Sequence, residues 1–382
     1  MVYQLVIEGW RFLPHSYSIV NQFQCLELLK RENINIFHKD LAYFKDNWST
    51  YNNLFNSSDE IKLRNLEIPH IHQTSDITLR IAYPYNFELS KSKRTCVFIT
   101  SEFGYINDSS LWLNCSLEEA HRKFDVTLIT PSNWSKRGLI KSGADLDRIV
   151  VVPHGIDPSI YKPLLEDERK LLRKQHGIDN DFVFLSIGSM SYNKRMDLVM
   201  KAFFRVLEKH PNARLVLKGL DSLYPSQNDL HAVIKNFMTE DEMNRILGRI
   251  TYIGSPMSFR ELAKLYQIAD AYVSPYGAEG FNLPVLEATA CGLPIICTKG
   301  GSTDDFTNSS FTLHIDSQIV RPFWDNAAIF LDASLENLTE LMYFVIESES
   351  FRNSAKIEGV NFVHENFTWK NVVDKLLNIF DL

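Results

Sequence analysis

Short β-branched and aromatic runs recur along the whole chain, each separated from the next by enough residues for a helix. They fall at 3–7, 34–37, 77–82, 96–100, 126–129 and 150–152, and again at 182–186, 214–218, 250–253, 271–274 and 294–297. Antiparallel neighbours can be joined by tight turns, but strands alternating with helices require parallel pairing, with helices covering the sheet faces. The helical period is visible between the runs. Met196, Val199, Met200, Phe203, Val206 and Leu207 form one apolar face that reads as core packing, and Pro211 stops it. At 382 residues the chain exceeds the size at which single cores usually divide. The expected fold class is therefore α/β, with two doubly wound, Rossmann-like domains. Pro153-His154-Gly155-Ile156-Asp157-Pro158 and Pro163, followed by the charged stretch 166–174, punctuate the chain, so the domains are placed at 1–162 and 163–366. The last segment, from Phe367-Thr368-Trp369 to Phe380, has a helical apolar stripe with Val372, Leu376 and Ile379, and such a helix must dock on other structure.

A formal charge of −7 argues against a dedicated nucleic-acid binder. The five cysteines are odd in number, scattered and outside metal-ligand spacing, which fits buried thiols in a reducing compartment. No basic n-region precedes the first strand, and no apolar stretch reaches the length of a membrane span. The expected location is cytoplasmic. Arg122, Lys123, Lys136, Arg137 and Lys141 leave open a peripheral membrane contact on the cytosolic face, although a charged helix face explains them more simply. No Gly-x-Ser-x-Gly elbow supports a serine hydrolase, and no metal is expected.

The segment Ala278-Glu279-Gly280-Phe281-Asn282-Leu283-Pro284-Val285-Leu286-Glu287 carries the sharpest chemical signal. Pro284 suits a first helical position, which puts Glu279 in a strand-to-helix loop and Glu287 on the helix itself. The N–H groups of Gly280, Phe281, Asn282 and Leu283 then sit at a helix tip, where an anion is best held. A carboxylate beside a phosphate cradle suits a ligand with both hydroxyls and phosphates. In the first half, Gly9 follows the first strand and precedes Pro14-His15-Ser16, a glycine-marked loop entering a helix, so His15 or Ser16 is a candidate to reach a ligand.

Further segments follow in a set order: Asp125-Val126-Thr127, Pro131-Ser132, Val151-Val152-Pro153-His154-Gly155-Ile156-Asp157, Ile187-Gly188-Ser189, Asn193-Lys194, Leu215-Val216-Leu217-Lys218-Gly219, the Glu279 to Glu287 segment and Gly292-Leu293-Pro294. With these, the region from about 125 to 306 resembles the retaining glycosyltransferases of the GT-B fold, family 4. The resemblance implies two such domains across a cleft, a nucleotide-sugar donor held by the second, and a C-terminal helix, 367–382, crossing back to the first. It implies that Glu279 touches hydroxyls of the donor sugar, Glu287 accepts from the ribose and Lys194 faces the diphosphate. The arginine usual after the glycine is here Ser189, so Arg195 or the backbone of 280–283 is expected to take up phosphate contacts. Gly254 and the stretch from Tyr276 to Asn282 are expected to line the base and sugar. A histidine common after the fourth strand is absent from Ile99-Thr100-Ser101-Glu102-Phe103-Gly104, which makes Glu102 the candidate there, and Arg80 is a candidate for the acceptor side.

The implied activity is metal-independent transfer, with retention, of a sugar, a hexose in the simplest case. The co-substrate is a UDP- or GDP-linked nucleotide-diphosphate sugar, with no other cofactor, and the acceptor is a carbohydrate, lipid-linked or protein hydroxyl. Two alternatives stay open: a phosphorylase or hydrolase on the same scaffold, and a catalytically altered subunit that only binds a nucleotide sugar. Ser189 and the missing histidine are what keep the latter open.

Overall fold

The computed structural model describes residues 2–322 and 325–381. It divides into two compact units, Met1–Gly155 with Asp325–Ala328 and Phe367–Leu382, and Ile156–Trp324 with Ile329–Asn366. In the first unit β1 (Tyr3–Gly9), β2 (Ile34–Asp40), β3 (Ile77–Ile81), β4 (Arg94–Phe98), β5 (Val126–Thr130) and β6 (Ile149–Val151) form a sheet ordered β2-β1-β3-β4-β5-β6. In the second, β7 (Phe182–Ile187), β8 (Ala213–Lys218), β9 (Ile250–Ile253), β10 (Ala271–Ser274), β11 (Ile295–Thr298) and β12 (Thr312–Ile315) are ordered β12-β11-β10-β7-β8-β9. Every pairing in both sheets is parallel. Each unit is thus the Rossmann-like α/β domain that the alternation of runs implies.

This strand order determines where ligands can be held. β1 lies between β2 and β3, and β7 between β8 and β10, so in each sheet the chain leaves its first strand to one side and returns to the other. The connections diverge at that reversal and open a crevice at the carboxyl ends of the strands. In the second unit the crevice falls between the loops 188–195 and 275–282.

The core of the second unit sets Phe184, Leu215, Leu217, Val273 and Ile296 against Met196, Val199, Met200, Phe203 and Val206, the apolar face of the helix Met196–Lys209. β12 and the antiparallel hairpin β13 (Ser317–Val320) and β14 (Phe330–Ala333) go beyond the runs seen in the sequence. They are four-residue edge elements, and Thr312-Leu313-His314-Ile315 and Ser317-Gln318-Ile319-Val320 mix polar with apolar side chains.

The helix Trp369–Phe380 buries Trp369, Val372, Val373, Leu376, Leu377 and Phe380, and Thr368 caps it by accepting from the Asn371 N–H. Trp369 stacks on Phe23 at 5.4 Å and 4° between planes, and Arg31 pairs with Asp374 at 2.7 Å, so this helix packs on Ser16–Leu28 of the first unit. The units divide after Gly155, and 156–162 belongs to the second, where Tyr161 packs on Tyr266 and Gln267 donates to the Lys162 carbonyl at 2.8 Å. Among the described residues no helix is long and apolar enough to cross a membrane.

Candidate functional site

At the crevice of the second unit two loops are laced together. The Gly277 N–H donates to the Asn193 carbonyl at 2.8 Å, and Asn193 Nδ2 donates to the Ala278 carbonyl at 2.9 Å. One residue further along each strand of this lacing, Lys194 Nζ pairs with Glu279 Oε1. Two glycines make the geometry achievable. The Lys194 stem lies across Gly188, where a Cβ would meet its Cε at 3.2 Å, and a Cβ on Gly277 would stand 2.0 Å from the Phe330 ring. Three residues other than glycine in these loops, Met190 (φ 59°), Arg195 (φ 54°) and Asn282 (φ 74°), occupy the left-handed region. Such conformations cost free energy and persist where surrounding contacts over-determine them. Glu279 is 6% exposed, and its only ion-pair partner among the described residues is Lys194.

Asn282 precedes the helix Leu283–Ala290, whose Pro284 stands in the first turn, and no side chain caps its N-terminus. Asn282 instead donates to Ser274 Oγ at 3.0 Å, which holds the tip against the end of β10. Glu287 lies one turn into this helix and is 5% exposed. Its Oε2 accepts from the Tyr266 hydroxyl at 2.7 Å. Burial pushes its carboxyl up to about 7, and the hydroxyls of Tyr266 and Tyr161 hold it back from rising further. The Tyr161 hydroxyl acts through proximity, since it falls outside hydrogen-bond geometry.

The structure therefore brings Lys194, Glu279, Gly280, Phe281, Asn282, Leu283 and Glu287 to one strand-end region. Ser189 stands beside them in a hydroxyl chain, its Oγ 2.7 Å from Ser191 Oγ, which donates to Asn193 Oδ1 at 2.7 Å. Arg195 is not directed at the same point. Its guanidinium binds Asp197 at 3.0 Å and Asp332 at 2.9 Å and lies over Phe330, so its charge is neutralised in a cluster that anchors the hairpin. Gly254 follows β9 and packs on Asp221, whose carboxylate a Cβ there would overlap at 1.6 Å. The sequence pattern assigns Asn193 no role and does not point to the tyrosines around Glu287. Tyr161 lies more than a hundred residues from Tyr266 and Tyr272, and no spacing pattern links the three to Glu287.

The corresponding edge of the first unit is aromatic. Trp10, His15, Tyr17 and Trp48 meet with ring centroids 5.2 to 6.0 Å apart, and the Tyr17 and Tyr85 hydroxyls are 2.7 Å apart. Burial pushes the His15 imidazole down to about 4, so it is neutral near pH 7, and its Nδ1 accepts from the Tyr17 N–H at 3.1 Å. Glu102 is exposed in the loop after β4; burial raises the pKa of Tyr17 and Tyr85, and the charge of Glu102 adds a smaller push in the same direction. Gly9 fits a tight approach, since a Cβ would meet the Ile81 carbonyl at 2.7 Å, and Ser16 is exposed at the helix start. Arg80 is a structural cation: it pairs with Glu8 at 2.7 Å and donates to the carbonyls of Asn86 and Glu88, which removes it from the acceptor side.

Residues 168–320, which hold both laced loops and the helix tip, match the family described as glycosyl transferases group 1. The match is confined to this region, and the two Rossmann-like units have the fold of the GT-B proteins. Over 160 residues the chain is 30% identical to the D-inositol 3-phosphate glycosyltransferase of Pseudarthrobacter chlorophenolicus, covering 42% of this chain and 36% of that protein. Over 318 residues it is 22% identical to the phosphatidylinositol N-acetylglucosaminyltransferase gpi3 subunit of Schizosaccharomyces pombe, covering 83% and 61%. The chain thus spans about a third to three fifths of the length of these curated relatives. Among solved structures, Anabaena HepE in complex with UDP and glucose superposes with a TM-score of 0.71 over 99% of both chains at 13% identity. A glycosyltransferase from Rickettsia africae does so at 0.69, over 100% of this chain and 98% of that one, at 15% identity. These last two likenesses concern the fold.

Proposed function

We propose that the protein is a retaining glycosyltransferase that moves a sugar from a UDP- or GDP-linked donor to an acceptor hydroxyl without a metal. The observation that carries this reading is the Lys194–Glu279 pair, set beside an uncapped helix tip at the reversal point of the sheet. Lys194 has three donors and can share its ammonium between Glu279 and a diphosphate, while the tip's N–H groups take further phosphate oxygens. Glu279, held at a fixed distance from those phosphates, accepts from hydroxyls of the sugar. Glu287 supplies a carboxyl group for the ribose diol. A structural relative is known in complex with UDP-glucose, which agrees with such a donor.

In the reaction the bond from the anomeric carbon to the diphosphate oxygen breaks, and the acceptor oxygen bonds to that carbon on the same face. The acceptor proton passes to the departing diphosphate, so no protein nucleophile is needed. Lys194 and the helix tip contribute most as charge accumulates on that leaving group.

The test is turnover of UDP- and GDP-sugars with a panel of acceptors. The expected result is release of nucleoside diphosphate that depends on acceptor and falls sharply in Glu279→Ala. Free sugar released at the same rate without acceptor identifies a hydrolase, and tight donor binding with no turnover identifies a binding subunit.

A further inference from the structure

Lys218 ends β8 and is 5% exposed. Register places it between Ile187 of β7 and Ile253 of β9, and its side chain leaves the sheet on the face opposite Leu215 and Leu217, which belong to the apolar core. The same face carries Tyr272, whose hydroxyl reaches the backbone N and O of Ile187 at 3.3 and 3.2 Å, and next to it Tyr266, the partner of Glu287. Lys218 and Glu287 therefore flank one face of the sheet at its carboxyl edge.

The ammonium of Lys218 is poorly provided for. Among the described residues its hydrogen-bond partner is the carbonyl of its own neighbour Gly219, one acceptor for three donors. Asp221, the acid near enough to act on it, already accepts from the Tyr252 hydroxyl at 2.7 Å and from the Gln227 N–H at 2.9 Å. Burial lowers the Lys218 pKa to about 8, as expected for a cation short of compensation. An apolar residue would end this strand at less cost, so a ligand acceptor is the missing partner. Position indicates which part of a ligand supplies it. Strands are about 4.8 Å apart, so Lys218 stands roughly 10 Å along the edge from β10, the strand that leads to Glu279. A nucleotide with its diphosphate at Lys194 and its ribose toward Glu287 extends its base over the ends of β7 and β8. At the end of β8 the Tyr252 side chain packs directly on Gly219, where a Cβ would meet its hydroxyl at 2.3 Å.

We propose that Lys218 reads the base of the donor nucleotide, donating to a keto oxygen, O4 of uracil or O6 of guanine. Bases that present an amino group at that position, cytosine and adenine, meet a donor with a donor and are disfavoured. The inference rests on the nucleotide-sugar reading above and deepens it.

The experiment is calorimetric titration of UDP, CDP, GDP and ADP into the wild-type chain and Lys218→Met. The wild type should prefer the keto member of one pair, UDP over CDP or GDP over ADP, by about tenfold or more, and Lys218→Met should bind both members of that pair within about twofold. Absence of a keto preference in the wild type, or the same preference in Lys218→Met, overturns the role of Lys218 while leaving the donor reading standing. Failure of every nucleoside diphosphate to bind overturns both. If Lys218→Met does not fold, deletion of the ligand atom decides. Pyrimidin-2-one riboside diphosphate in place of UDP, or 2-aminopurine riboside diphosphate in place of GDP, should bind the wild type about tenfold more weakly. Equal binding contradicts the proposal.

Discussion

Both units are parallel sheets in which the chain reverses at the first strand, although their strand orders are not the same, and they differ in what they place at that reversal. The second ends its central strands in a lysine and a glutamate paired beside a helix tip, with three residues other than glycine at positive φ in the loops that hold them. The first ends its strands in a cluster of tryptophan, tyrosine and a neutral histidine. One edge can hold charge, while the other offers flat rings and hydroxyls, which suits a ligand bound by stacking and neutral hydrogen bonds. The fold accounts for where each edge lies, and the loop residues account for what each can bind.

The largest expected effect separates the stability of one unit from the chemistry of the other. Trp369→Ala removes the ring stacked on Phe23 and should destabilise the first unit by about 3–5 kcal/mol in denaturant melts. Nucleotide affinity under folding conditions should stay as it was. A simultaneous loss of affinity would show that the two edges are not independent.

Next in size is the charged pair itself. Lys194→Met and Glu279→Ala should each lower turnover by about 10²–10³-fold under conditions where the variant is fully folded, because they remove interactions expressed in the transition state. Full activity in both would break the assignment of the charged edge.

Glu287 provides a third test. Its carboxyl titrates at about 7 in the folded chain against 4.5 as the ordinary value, so the folded state keeps a proton that the unfolded state has lost between those values. Stability should fall as pH rises from about 4.5 to 7, by at most roughly 3 kcal/mol, and level off above. Glu287→Gln should flatten that slope. An unchanged slope would mean that the tyrosine-lined pocket does not govern this group.

The smallest effect belongs to the aromatic edge. Tyr85→Phe deletes the hydroxyl shared with Tyr17 and donated to the Thr100 carbonyl at 3.0 Å, and should cost about 1 kcal/mol of stability. If this edge takes the acceptor, its KM should rise while donor affinity stays fixed.

Much of the fold is readable in the sequence because β1 to β11 are runs rich in β-branched and aromatic residues, most of them buried, which composition and spacing by helices expose. β12, as Thr312-Leu313-His314-Ile315, carries no such run. In the second unit, Glu279 and the helix tip could be picked out because they share one segment in which Pro284 marks the helix start, and Lys194 because it lies in another of the ordered segments that carry the family resemblance. Arg195 could not be resolved in that way: its orientation depends on Asp332, distant in sequence, and its adjacency to Lys194 says nothing about where a left-handed residue points its side chain. The same limit hid the Asn193 to Ala278 lacing, the tyrosines around Glu287 and the pairing of Arg80 with Glu8. Each is a contact between segments that no local pattern connects.

The central claim is that the carboxyl edge of the second unit binds a nucleoside diphosphate through Lys194. Titration of UDP and GDP into wild-type protein and Lys194→Met tests it most directly. At least one of the two should bind the wild type and bind Lys194→Met about tenfold or more weakly. Equal affinity in both proteins, or no binding to the wild type, would contradict it.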